Sequence, residues 1–91
     1  PSGADKTTIL VTAAHTDAPG ALYRLLQPLA RNRISMTRIE SRPSRRRKWD
    51  YVFFIDIEGH AQDRNVKRAF AQLKKRAELF RIVGSYPGAV L

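Results

Sequence analysis

Two short segments carry residues whose types could hold a small charged molecule. The first is "DAPGAL", Asp17-Ala18-Pro19-Gly20-Ala21-Leu22, which runs from turn residues into an apolar, periodic stretch. A helix start leaves backbone N–H groups without partners, and these suit a carboxylate. Gly20 removes the side chain that would keep a ligand off the backbone. The second is "ESRP", Glu40-Ser41-Arg42-Pro43. Glu40 offers an acceptor for an ammonium group, and Ser41 a hydroxyl that donates or accepts. A zwitterion needs both kinds of contact. By spacing alone, however, the same residues are an ordinary capped helix and an ordinary strand end.

Other groups could do different chemistry. Asp56 and Glu58 lie two apart on a strand pattern and share a face, an arrangement fit for acid–base work if buried. His15 and His60 fall in loops after the first and third strands, which are expected at the same end of the sheet. No Gly-x-Ser-x-Gly elbow, His-Glu-x-x-His pair or glycine-rich phosphate loop accompanies them. There is no cysteine, which excludes a thiolate metal site and a cysteine nucleophile. The chain therefore reads as non-catalytic, with two loop histidines and a solvated strand end.

The charge is the third signal. Lys and Arg number 17 against 8 acids, a formal net charge of +9, and most of the bases are arginine. Such a balance favours acidic partners. The run "SRRRK", Ser44 to Lys48, precedes the aromatic "WDYVFF". An RNA-recognition motif shares the strand and helix order inferred below and stacks bases on aromatics of its first and third strands. Here the third strand has no glycine and contains an acid, and the first strand, "TTILVTAA", has no aromatic. Nucleic acid is thus the weaker reading, through Trp49, Tyr51 and Phe53. "SRRRK" reads as a solvated hairpin tip that keeps a sheet edge soluble.

These residues need elements to position them. Thr7 to Ala14 is β-branched and apolar, a strand. Leu22, Leu25, Leu26, Leu29 and Ala30 fall at helical spacing, so Pro19 to about Asn32 is a helix, with Asp17 a candidate cap and Pro28 expected to kink it. Ile34 to Arg42 is a second strand, ended by Pro43. From Trp49 the residues Trp49, Tyr51, Phe53, Ile55 and Ile57 alternate with a mixed set, a third strand. Val66, Ala69, Phe70, Leu73 and Ala77 mark a second helix, and "ELFRIVGSYP" a last strand. The order β-α-β-β-α-β predicts an α+β, ferredoxin-like domain: a four-stranded antiparallel sheet with both helices on one face. Residues 1–6 read as a flexible lead-in and 7–91 as one domain, expected to be a piece of a longer protein. No apolar run approaches a membrane span and no signal peptide is evident, so a cytoplasmic setting is expected.

"PGAL" and "ESRP" at this separation resemble the regulatory ACT domain of prephenate dehydratase, of the bacterial bifunctional chorismate mutase–prephenate dehydratase type. The likeness extends over nearly the whole chain, through "RISMTRIESRPS", "YVFFID", "EGH" and "GSYP". It implies a non-catalytic sensor that needs no cofactor or metal. It implies homodimers with sheets joined side by side into eight strands, and L-phenylalanine bound at the subunit interface. Binding would shut down an attached dehydratase domain that converts prephenate to phenylpyruvate. The positions carried over are Asp17, Ala18, Pro19, Gly20, Ala21 and Leu22 with Glu40, Ser41, Arg42 and Pro43. The ACT domain of aromatic amino acid hydroxylases is similar in the same two motifs; the "GSYP" ending and basic composition favour the dehydratase.

Overall fold

The structure, a computed structural model, describes residues 5–13, 19–43 and 51–87. Six elements follow in order: β1 (Asp5–Ala13), α1 (Ala21–Arg31), β2 (Met36–Pro43), β3 (Tyr51–Glu58), α2 (Arg64–Arg76) and β4 (Leu79–Pro87). The strands form one sheet in the order β2-β3-β1-β4, and every neighbouring pair is antiparallel. This is the α+β, ferredoxin-like arrangement that the periodicities predict.

Strand alternation sends one set of side chains under the helices. Ile9 pairs with Ile55 and Val11 with Phe53. All four are buried, with Ile57, against Leu25 and Leu29 of α1 and Val66, Ala69, Phe70 and Leu73 of α2. Both helices therefore cover the same face of the sheet. The α1 stripe is narrower than its sequence spacing predicts: Leu22 and Ala30 are exposed, and Pro28 is buried instead.

Several boundaries shift for local reasons. β1 begins at Asp5, which pairs with Pro87, so the lead-in expected over residues 1–6 already belongs to the sheet at its last two positions. The expected strand at Ile34 starts later, at Met36, because α1 ends in a Schellman motif. Ile34 N–H bonds Leu29 O and Arg33 N–H bonds Ala30 O, with Arg33 in the left-handed region at φ 57°. Ile34 is buried beside Leu29 as the apolar partner of that cap rather than as a strand residue. The helix continues through Pro28 without interruption.

Strand direction corrects one expectation. In the β1–β3 register Lys6 meets Glu58 and Ala13 meets Tyr51. The ends of β1 and β3 therefore lie at opposite ends of the sheet, not at the shared end expected for the two histidine loops. His15 itself lies outside the described residues. His60 is used locally: its N–H donates to Asp63 Oδ2 at 2.9 Å, and its Nδ1 accepts Gln62 N–H at 3.0 Å.

Candidate effector site

α1 opens without a side-chain cap. Its N-cap is Gly20, at φ 75°, ψ 4°, not Asp17, which lies with Ala18 outside the described residues. The left-handed conformation explains a glycine here. The first helical bond runs from Arg24 N–H to Gly20 O at 2.9 Å. Helical geometry leaves the N–H groups of Ala21, Leu22 and Tyr23 without intrahelical partners. Leu22 and Tyr23 are exposed around them.

The second segment occupies the end of β2, an edge strand. Ser41 pairs with Phe53 and Glu40 with Phe54. Directly paired residues point the same way. Ser41 and Pro43 therefore take the helix-covered side, and Glu40 and Arg42 the open side. β1 and β2 are both antiparallel to β3, hence parallel to one another. The start of α1 and the end of β2 thus share one end of the sheet. Gly20–Leu22 lies on the side of Ser41 and Pro43, while Glu40 and Arg42 face away. Among the described residues no hydrogen bond or ion pair joins the two segments within one chain.

Glu40 is not a free acceptor. Arg38 Nη2 donates to its Oε1 at 2.8 Å and Arg42 Nη2 to its Oε2 at 2.9 Å. The hydrogen bond from Arg42, then that from Arg38, holds its carboxyl below the ordinary 4.5. The Arg42 guanidinium also lies 5.6 Å from the Phe54 ring centroid. With Thr8, Asp56 and Tyr86 these residues line an open hollow of about 410 Å³. Asp56 accepts from Thr8 Oγ1 at 2.6 Å, so it is a hydrogen-bonded strand residue. It shares that face with exposed Glu58, and no buried carboxylate pair forms.

The sequence motifs miss a polar cluster at the opposite end. Thr7 is fully buried. Its hydroxyl donates to Gly59 O at 2.6 Å and lies 2.7 Å from Ser85 Oγ. Its single proton is thus spent on Gly59, and Ser85 must donate to it. Ser85 Oγ in turn accepts Ala61 N–H at 3.1 Å. Gly59 stands at φ 122°, and an added Cβ would lie 2.9 Å from Val66 Cγ2. The "EGH" and "GSYP" stretches therefore lock one end of the sheet; the only sequence signal is a threonine and a serine inside apolar strands. Tyr51 and Phe53, the described members of the base-stacking alternative, belong to the helix-covered set, and Phe53 is buried there. That removes it as a stacking surface. Trp49 and the "SRRRK" tip lie outside the described residues.

The model of the ACT domain family matches residues 7–75. This chain belongs to the ACT domain family. It is similar along all its 91 residues, at 46% identity, to the bifunctional chorismate mutase/prephenate dehydratase of Aquifex aeolicus. The counterpart of Neisseria gonorrhoeae is 50% identical over 90 residues. The ACT domain spans 25% and 24% of these relatives, about a quarter of their length. Among solved structures, the prephenate dehydratase of Arthrobacter aurescens in complex with L-Phe superposes with a TM-score of 0.85 and 42% identity. That match covers 94% of this ACT domain and 28% of the other chain. No described helix is long and apolar enough to cross a membrane.

Proposed function

We propose that this ACT domain is the L-phenylalanine sensor of a prephenate dehydratase, acting on a dehydratase domain of the same protein in feedback inhibition. The setting of that biosynthetic role is the cytoplasm. One observation carries the reading: an uncapped, glycine-opened helix start and the "ESRP" strand end share one end of the sheet. Their chemistries are complementary for an amino acid. The likeness to a dehydratase described with L-Phe supports the choice of ligand.

In this reading the N–H groups of Ala21 and Leu22, with the segment Asp17-Ala18-Pro19-Gly20, receive the carboxylate. The end of β2 of a neighbouring copy supplies Glu40, Ser41, Arg42 and Pro43. Glu40 takes the ammonium group in exchange for one of its arginines, an exposed pairing that opens at little cost. A bridge between copies fits the geometry, since Glu40 and Arg42 face away from α1 of their own chain. β2 is an edge strand, and edge-to-edge pairing would join two sheets into eight strands. An effector acts only by binding two states unequally, so phenylalanine must favour one dimer geometry over another.

Calorimetry with L-phenylalanine tests this, with the oligomeric state measured by ultracentrifugation on the same sample. Saturable heat is expected, and Gly20→Val should abolish it, since valine disfavours φ 75° and obstructs the backbone. A dimeric sample that gives no heat up to millimolar phenylalanine overturns the reading.

A further inference from the structure

α1 has a missing rung. Pro28 lies inside it and has no N–H, so the carbonyl of Arg24, four residues earlier, has no intrahelical donor. The donor comes from the other helix. Arg76, the last residue of α2, donates through Nη1 to Arg24 O at 2.5 Å, and the same atom reaches Gln27 Oε1 at 3.3 Å. One guanidinium thus grips the first turns of α1 at two points. Two residues beyond Arg76, Glu78 N–H bonds Thr12 O at 2.9 Å, near the end of β1. The end of α2 is therefore tied both to the strand that leads toward α1 and to the start of α1 itself.

We propose that Arg76 is a positioning residue for the effector site. It holds the first turns of α1, and with them the N–H groups of Ala21, Leu22 and Tyr23, in place against α2. This rests on the reading of the α1 start as the carboxylate contact. Donors held in place before a ligand arrives bind it more tightly than donors that must be ordered on binding. Pro28 is the other half of the device. With any other residue at 28, the Arg24 carbonyl would have its own intrahelical N–H, and Arg76 would be redundant. Arg76 therefore matters only while Pro28 is present. Ordinary surface pairing carries no such dependence.

The test is a double-mutant cycle on this chain with L-phenylalanine as the titrant. Arg76→Gln is expected to weaken affinity about threefold, the loss of one charge-assisted hydrogen bond at an exposed position. Arg76→Lys should keep most of the affinity, because an ammonium can still donate to the carbonyl. In a Pro28→Ala background, Arg76→Gln should change affinity little, because the introduced alanine supplies the missing N–H. Equal losses in the two backgrounds, or no loss beside Pro28, overturn the proposal. Pro28 is fully buried, so the cycle is also read as thermal unfolding midpoints. If the Pro28→Ala proteins do not fold, equal losses for Arg76→Gln and Arg76→Lys overturn it, and retention by lysine alone supports it. If the unaltered chain gives no heat with phenylalanine, the effector reading fails on its own. The midpoint cycle then judges the tie: additive shifts overturn it and non-additive shifts support it.

Discussion

The two faces of this sheet are made from alternate residues of the same strands, yet they differ in almost every physical respect. Toward the helices stand Thr7, Ile9, Val11, Ile55 and Ile57, all fully buried, with Phe53 nearly so. Away from them stand Thr8, Arg38, Glu40, Arg42, Phe54, Asp56 and Tyr86 around an open hollow. The first face fixes where α1 sits; the second sets only what the surface offers. "ESRP" straddles the two. Ser41 and Pro43 point to the helix side of the sheet but stay exposed on the edge strand, and Glu40 and Arg42 belong to a solvated ion-pair ladder on the other side. A motif that reads as one unit in sequence therefore presents Ser41 and Pro43 on one face of the edge strand and Glu40 and Arg42 on the other.

The largest test of that contrast sets neighbours on β3 against each other. Ile55→Ala removes a fully buried side chain between β1, β2 and the helices. It is expected to cost about 2–5 kcal/mol of unfolding free energy, the range for deep large-to-small changes. Phe54→Ala, one residue away on the open face, should cost well under half as much despite removing more atoms. Urea denaturation of both proteins checks this. Equal losses would mean that the open face is covered in solution.

A smaller effect probes Thr7, a polar residue fully buried on the apolar face. Thr7→Val keeps the shape but leaves Gly59 O and Ser85 without their partner. A loss of about 1–2 kcal/mol is expected from such unsatisfied groups. Ser85→Ala should act through the same network, so the double variant should lose less than the sum of the two, read again by denaturant unfolding.

How far all this was legible in the sequence depended on range. The alternation of Phe53, Ile55 and Ile57 and the stripe of Val66, Ala69, Phe70 and Leu73 repeat often enough to place β3, α2 and the fold. The start of α1 was harder, because Asp17, Pro19 and Gly20 are each plausible opening residues and only backbone dihedrals single out Gly20 as the cap. Arg33 adopts a left-handed conformation that sequence leads one to expect of glycine, so Ile34 looked like a strand residue. The split of "ESRP" across two faces was available from the period of two, but a motif invites reading as a block. The Arg76–Arg24 contact was out of reach: it joins residues far apart in the chain, and its cause is an N–H that proline lacks.

The smallest effect is also the most local to the candidate site. Two arginines hold the Glu40 carboxyl below its ordinary value, Arg42 foremost. A depressed folded-state value means a stabilising contribution present above the ordinary glutamate range and lost as pH falls through the folded value. Because Glu40 and both arginines are open to solvent, this should be invisible in unfolding curves and visible only in the titration of the carboxyl carbon by NMR. Arg42→Gln should raise that titration toward 4.5, and Arg38→Gln should raise it less, in the order of their hydrogen bonds. Salt should move it the same way, since exposed pairs are screened. The titration also reports on the ligand. If the ammonium of phenylalanine replaces one arginine, Glu40 stays ionised through the exchange, and its titration should remain low with phenylalanine bound even in Arg42→Gln. A Glu40 that returns to its ordinary value in that variant, ligand present, would take the carboxylate out of the effector contact and leave the helix start to bind on its own.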